Sequence, residues 1–138
     1  MTPEQIKLVQ TTWKSVAAIS EDAAALFYGR LFTIDPSAQA LFSTDMKEQG
    51  RKLMQMLATA VNGLEHIEDL IPAVEDMGRR HVDYGVEESQ YSTVGSALLW
   101  TLEQGLGDAF TAEVKEAWTT TYETLAGVMI AAAQEAAV

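Results

Sequence analysis

The chain is 138 residues long and carries 9 Lys and Arg against 20 Asp and Glu, a formal charge of -11, with no cysteine. That length suits one hydrophobic core, so a single domain spanning 1–138 is expected; without cysteine, a disulfide framework, a thiolate metal site and a thiol nucleophile are excluded. The acidity opposes nucleic acid and anionic membrane surfaces, no apolar run reaches the roughly 18 to 20 residues of a membrane span, and Met1-Thr2-Pro3-Glu4 does not open a signal peptide, so a cytoplasmic location is expected.

The hydrophobic spacing is helical almost throughout, with no sustained two-residue alternation and no Asn-Gly or Asp-Gly hairpin turn, which predicts an all-α fold. Thr2-Pro3-Glu4-Gln5 opens the first helix as a capping box, and Ile6, Val9, Trp13 and Val16 form its buried stripe. A second helix starts after Ser20, with Glu21 and Asp22 at its positive dipole end, and runs to the Asp35-Pro36 break, burying Ala24, Phe27, Tyr28, Leu31 and Phe32. A short helical piece from Pro36 ends near Leu41-Phe42, before the polar stretch Ser43-Thr44-Asp45. The third long helix is expected from Met46 or Lys47 to Leu64, with Gln49, Leu53, Met56 and Ala60 on one side. After Glu65 to Asp69, a shorter helix begins at Pro72, carries Val74, Met77 and His81 at three- and four-residue steps, and stops at Gly85. Two helices complete the chain: Glu87 or Glu88 to Leu106, with Tyr91, Val94, Leu98 and Leu102 inward, and Ala112 to about Ala136, with Val114, Trp118, Tyr122, Leu125 and Met129 inward.

Only two histidines can carry imidazole chemistry. Fifteen residues separate His66 and His81, a spacing that fits no paired metal-binding helix. His66 lies in an acidic, polar stretch and reads as a solvated residue. His81 continues an apolar stripe, where its nitrogens need partners; both a satisfied core histidine and a ligand fit that position. Nucleophilic catalysis of the Ser/His/Asp kind lacks its strand-to-helix elbow, phosphate-binding glycine loops are missing, and the carboxylates fall mainly on solvent faces. Tyr28 and Gln49 are polar side chains within apolar faces, and each can donate a hydrogen bond. Each also fits an ordinary role, a hydroxyl reaching the surface or a glutamine at a helix boundary.

Taken together, Tyr28, Phe42, Gln49, Leu53, His81 and Tyr91 resemble the haem pocket of bacterial single-domain globins and of the globin domain of flavohaemoglobins. The resemblance extends through Phe27 to Phe32, Pro36 to Phe42, Gln49 to Leu57, Leu70 to Glu75, Gly78 to His81, Gln90 to Gly95 and Ala117-Trp118. It implies a globin fold of six to eight helices around haem b, iron protoporphyrin IX. His81 would be the proximal iron ligand, Phe42 the ring against the porphyrin, and Tyr28 and Gln49 the distal pair. Leu53 would close the pocket, Met77 would line it, Tyr91 would lie near His81, and Lys52 or Arg80 would reach a propionate or remain ordinary solvated charges. The glutamate that flavohaemoglobins place on the last helix to hold the proximal histidine falls at Ala133, with Glu135 two positions late.

The resemblance implies a tight, reversible binder of dioxygen, carbon monoxide and nitric oxide, with slow dioxygen release because Tyr28 and Gln49 can donate to its oxygens. Oxygen transport at ordinary tissue pressures fits such slow release poorly. Two alternatives stand beside it: a nitric oxide dioxygenase served by an external reductase, and a haemless globin-fold sensor or interaction module in which His81 is merely packed.

Overall fold

The computed structural model describes residues 2–41, 45–83, 86 and 88–136. It contains six α-helices, three short 3-10 segments and, among the described residues, no strand. Helix α1 (Pro3–Ala17) opens on the expected capping box: the Gln5 amide donates to Thr2 Oγ1 at 3.1 Å, and the Thr2 amide donates to Gln5 Oε1 at 3.0 Å. Helix α2 (Ser20–Ile34) takes Ser20 as its first helical residue, and a 3-10 segment, Pro36–Leu41, follows. Asp45 caps α3 (Met46–Asn62) by accepting from the Lys47 amide at 3.0 Å. Helix α5 (Glu88–Leu106) is joined to α6 (Ala112–Ala136) through the 3-10 turn Gly107–Ala109. Gly107 has φ 55, the left-handed region that a side chain disfavours. None of these helices is long and apolar enough to cross a membrane.

Helix α4 (Ile67–Asp83) begins five residues before the proline expected to start it, and α3 ends two residues early at Asn62. Gly63 breaks the chain between them, and Leu64–His66 form a 3-10 turn that buries Leu64. Glu68 and Asp69 complement the positive end of α4, so the acidic segment is stabilised as a first turn. Pro72 lies inside the helix, where it lacks the amide that would reach Glu68; both residues are exposed, so water can satisfy that carbonyl.

The helices cross where glycine lets them approach. A Cβ on Gly50 would lie 2.9 Å from that of Ala24, where α3 crosses α2; one on Gly95 would lie 2.8 Å from the Tyr122 ring, where α5 meets α6. On Gly78 it would lie 2.7 Å from Met129 Cα, seating α4 directly on the α6 backbone. Helix α3 packs on α1 and α2, α2 packs on α5, and α4 packs chiefly on α6. The main apolar cluster draws on α1, α2, α3, α5 and the first half of α6, and inside it Trp118 Nε1 donates to Thr12 Oγ1 at 2.9 Å. Val74, Tyr91, Ala126 and Ala132 are buried as well, yet stand apart from that cluster. These four lie on α4, α5 and the second half of α6.

The Gly50 crossing also rotates α3 relative to the sequence expectation. Gly50, Met54 and Val61 are its buried residues. Gln49, Leu53 and Ala60 are half-buried, and Met56 is exposed, so the anticipated inward stripe lies at the flank of the core.

Because the Gly78 contact is with backbone, a methyl there cannot be relieved by a rotamer change. Gly78→Ala should lower unfolding free energy by about 1–3 kcal/mol in chemical denaturation. Gly127→Ala, whose Cβ would meet nothing within 4 Å, should be neutral or stabilise by about 0.5–1 kcal/mol.

Candidate functional site

His81 sits in the last turn of α4, half-buried, with Nδ1 2.6 Å from the Met77 carbonyl oxygen one turn earlier. A carbonyl can only accept, so Nδ1 carries a proton, and of the two neutral tautomers this contact favours the one with its lone pair at Nε2. The Val86 amide donates to the His81 carbonyl at 3.0 Å and closes the helix end. The ring is therefore anchored from its own helix in the tautomer suited to metal ligation.

Tyr91, in the first turn of α5, lies beside that imidazole with ring centroids 6.2 Å apart and planes inclined by 33°. Its hydroxyl is buried and has no hydrogen-bond partner among the described residues, and burial pushes the phenol pKa up. Tyr122 Oη, on α6, donates to the Tyr91 carbonyl at 2.6 Å while its ring fills the space above Gly95. Burial, and then the neighbouring Tyr91, push the Tyr122 phenol pKa up. The sequence marks Tyr122 only as inward-facing; a hydroxyl on an inward stripe requires a buried acceptor, and this is the signal that could have identified its role.

Away from α4, α2 supplies Tyr28 and α3 supplies Gln49. Tyr28 is 8% exposed, with Phe27 edge-on at 5.1 Å and Phe32 stacked at 6.0 Å. Its hydroxyl donates to the backbone carbonyl of Gln49 at 3.4 Å, a long bond at the limit of the range. Burial pushes the phenol pKa up to about 12, so it keeps its proton at neutral pH. Tyr28 and Gln49 are thus brought together, through the glutamine's main chain as well as by helix packing.

Leu53 is half-buried and lines a small space in the core with Trp13, Phe27 and Leu98. Met77 is half-buried, and its carbonyl holds His81. Lys52 is exposed, and so is Arg80, which pairs with Asp76 on its own helix. Phe42 lies outside the described residues. His66 is exposed in its 3-10 turn, away from any buried cluster. On α6, Ala133 is half-buried and Glu135 exposed.

These residues fit haem. An iron porphyrin requires an imidazole with its lone pair at one ring nitrogen, apolar walls on both faces and polar donors across the iron. The Met77 carbonyl meets the first requirement in His81, and buried apolar side chains on α2, α3, α4, α5 and α6 are available for the second. Tyr28 and Gln49 supply donors on helices separate from α4.

The Globin family model matches residues 25–129. Among curated proteins, the chain is similar to the flavohemoprotein of Bordetella parapertussis, at 32% identity over 94% of this chain and 33% of that protein. The flavohemoprotein of Vibrio cholerae is 30% identical over 94% of this chain and 34% of its own length, and that of Halalkalibacterium halodurans 29% identical over 94% and 32%. The chain thus spans about a third of the length of these relatives. With the family model covering α2 through most of α6, the chain belongs to the globin family of haem-binding proteins.

Proposed function

We propose that this globin holds haem b through His81 and binds dioxygen, with carbon monoxide and nitric oxide as further ligands, reversibly and tightly in the cytoplasm. The observation that supports this reading is the Met77 carbonyl on His81 Nδ1, which favours the tautomer with its lone pair at Nε2, the form a metal would take. Haem held through His81 would supply an iron able to take up a diatomic gas. Tyr28 retains its proton and would turn it from the Gln49 carbonyl toward the gas, with the Gln49 amide as a second donor from α3. Leu53 and Phe42 exclude water with apolar side chains, and Tyr91 packs beside His81. Lys52 and Arg80 are exposed cations that would either meet the propionates, Arg80 by exchanging its Asp76 partner, or remain solvated charges.

His81→Gly should abolish the axial ligand and weaken haem uptake, and added imidazole should restore the absorption spectrum. An unchanged ferrous spectrum in the variant would defeat the assignment.

Tyr28→Phe removes the donor while keeping the ring. A hydrogen bond to a charged acceptor contributes about 1.5–3 kcal/mol, so stopped-flow dioxygen release should accelerate by roughly one to two decades, with carbon monoxide release changing less. The same phenol gives stability a pH dependence. Its pKa is raised from 10.0 to about 12 in the folded chain, so above pH 10 the unfolded state releases a proton that the folded state retains. Its contribution is present in full below that pH and is lost as pH climbs toward 12, with a slope of at most about 1.4 kcal/mol per unit. Tyr28→Phe should flatten that decline in alkaline denaturation curves.

A second reading, conversion of nitric oxide and dioxygen to nitrate, is favoured by the similarity to flavohemoproteins. Each such turnover needs one electron from an external reductase, and Ala133 places no carboxylate near His81 to make the imidazole more electron-rich. Sustained nitric oxide consumption with a reductase present would establish the enzyme; a single stoichiometric turnover would leave a gas binder.

A further inference from the structure

A groove of about 540 Å³ runs along the outer face of α2 against α5, lined by Asp22, Leu26, Gly29, Arg30 and Trp100 among others. It belongs to neither of the faces that carry Tyr28 and His81. The Arg30 guanidinium lies over the Trp100 ring, 5.2 Å from its centroid, which fixes the plane of the cation. Arg30 Nε is nevertheless buried with no hydrogen-bond partner among the described residues. Nε is shut off from the groove, so the fork offered to a carboxylate there is the pair of terminal amino groups, from which it accepts charge-assisted bonds.

The floor beside this fork is Gly29. It lies in the middle of α2, where glycine weakens a helix, yet a Cβ there would meet nothing within 4 Å. No packing contact requires glycine at this position; what it leaves is an open strip of backbone, bordered by Leu26, on which a flat ring can rest. Thr33 is already engaged, donating to the Gly29 carbonyl at 2.8 Å. Asp22 lies two turns before Arg30, about 12 Å away along the helix, and repels a second negative charge at that end. A chain of net charge -11 also disfavours polyanions.

We propose that the α2–α5 groove is a second ligand site, separate from the haem pocket, for a flat aryl monocarboxylate: the carboxylate on Arg30, the ring over Gly29 against Leu26, and the uncharged end toward Asp22. The site does not depend on which gas the haem takes.

The test uses the haem-loaded, ferrous carbon monoxide protein, which is diamagnetic, with phenylacetate as the probe and the indole N–H resonances of Trp13, Trp100 and Trp118 as reporters. Phenylacetate should move the Trp100 resonance in a saturable way and leave those of the buried Trp13 and Trp118, and the haem absorption band, in place. Binding by 2-phenylethanol, which lacks the charge, should be weaker by about tenfold or more, as loss of a charge-assisted pair requires. The diacid 1,4-phenylenediacetate should also bind more weakly. Arg30→Gln should weaken phenylacetate binding by about tenfold, and Gly29→Leu, which fills open space and suits a helix, should abolish it while keeping the melting temperature. A Trp100 resonance that phenylacetate does not move overturns the proposal. So does equal binding of the alcohol or the diacid, a response confined to the haem band, or unchanged affinity in folded Gly29→Leu. If Arg30→Gln does not fold, the ligand series on the unaltered protein decides.

Discussion

Gly78 on the Met129 backbone is the contact from which the position of the histidine follows. Helix α4 has few neighbours: it packs chiefly on α6, and its seat there is a direct approach of main chain to main chain. Such an approach fixes distance more tightly than side-chain packing does, because backbone has no alternative rotamer. His81 lies three residues beyond Gly78, and its ring is tied back to Met77 on the other side of that contact. The imidazole therefore inherits its orientation from α4 and its location from α6. Tyr122 extends the same frame from α6 to α5, holding the Tyr91 carbonyl so that the Tyr91 ring stands beside the imidazole.

Tyr28 and Gln49 rest on different helices from His81. Gly50 brings α3 onto Ala24 of α2, and this crossing carries Gln49, one residue earlier, to the Tyr28 hydroxyl. The rotation of α3 that follows from the crossing turns Gly50, Met54 and Val61 into the core and leaves Gln49 and Leu53 at its edge. A donor at the edge of a core costs less to maintain than one at its centre, since water or a ligand can satisfy it. Tyr28 is the more demanding case: its phenol is buried between Phe27 and Phe32, and its bond to the Gln49 carbonyl is long.

The sequence carried most of this arrangement in its spacing. Six helices and the capping box at Thr2 could be read directly, because apolar periodicity and capping chemistry are local properties. The globin family was legible too, since the residues that suggested it keep their order along the chain. What escaped was set by long-range contacts. Pro72 marks a helix start in local terms, but the acidic turn before it is helical. Met56 belongs to the apolar step of α3, but Gly50 turns it outward. The sequence also leaves open which carbonyls are used: that of Met77, one turn back on the same helix, holds His81, and the hydrogen-bond partner of Tyr28 is the main chain of Gln49. Side-chain identity does not encode which backbone carbonyl a folded chain will bring within reach.

Among the described residues α4 adds none to the main apolar cluster, and this has an energetic consequence. Apolar residues beneath α4, such as Val74 and Ala132, are not part of the main cluster, so α4 draws little cohesion from it. In a chain of this size, a continuous core would bury more apolar surface and stabilise the fold further. An apolar ligand held against α4 would add its binding energy to folding stability, because the unfolded chain cannot hold it. The weak tie of α4 to the main cluster is thus the counterpart of the histidine anchor: one leaves α4 dependent on what binds against it, and the other sets the tautomer through which a haem would be tied to the protein. Neither feature alone would distinguish a haem protein from a loosely packed helical bundle with one buried histidine.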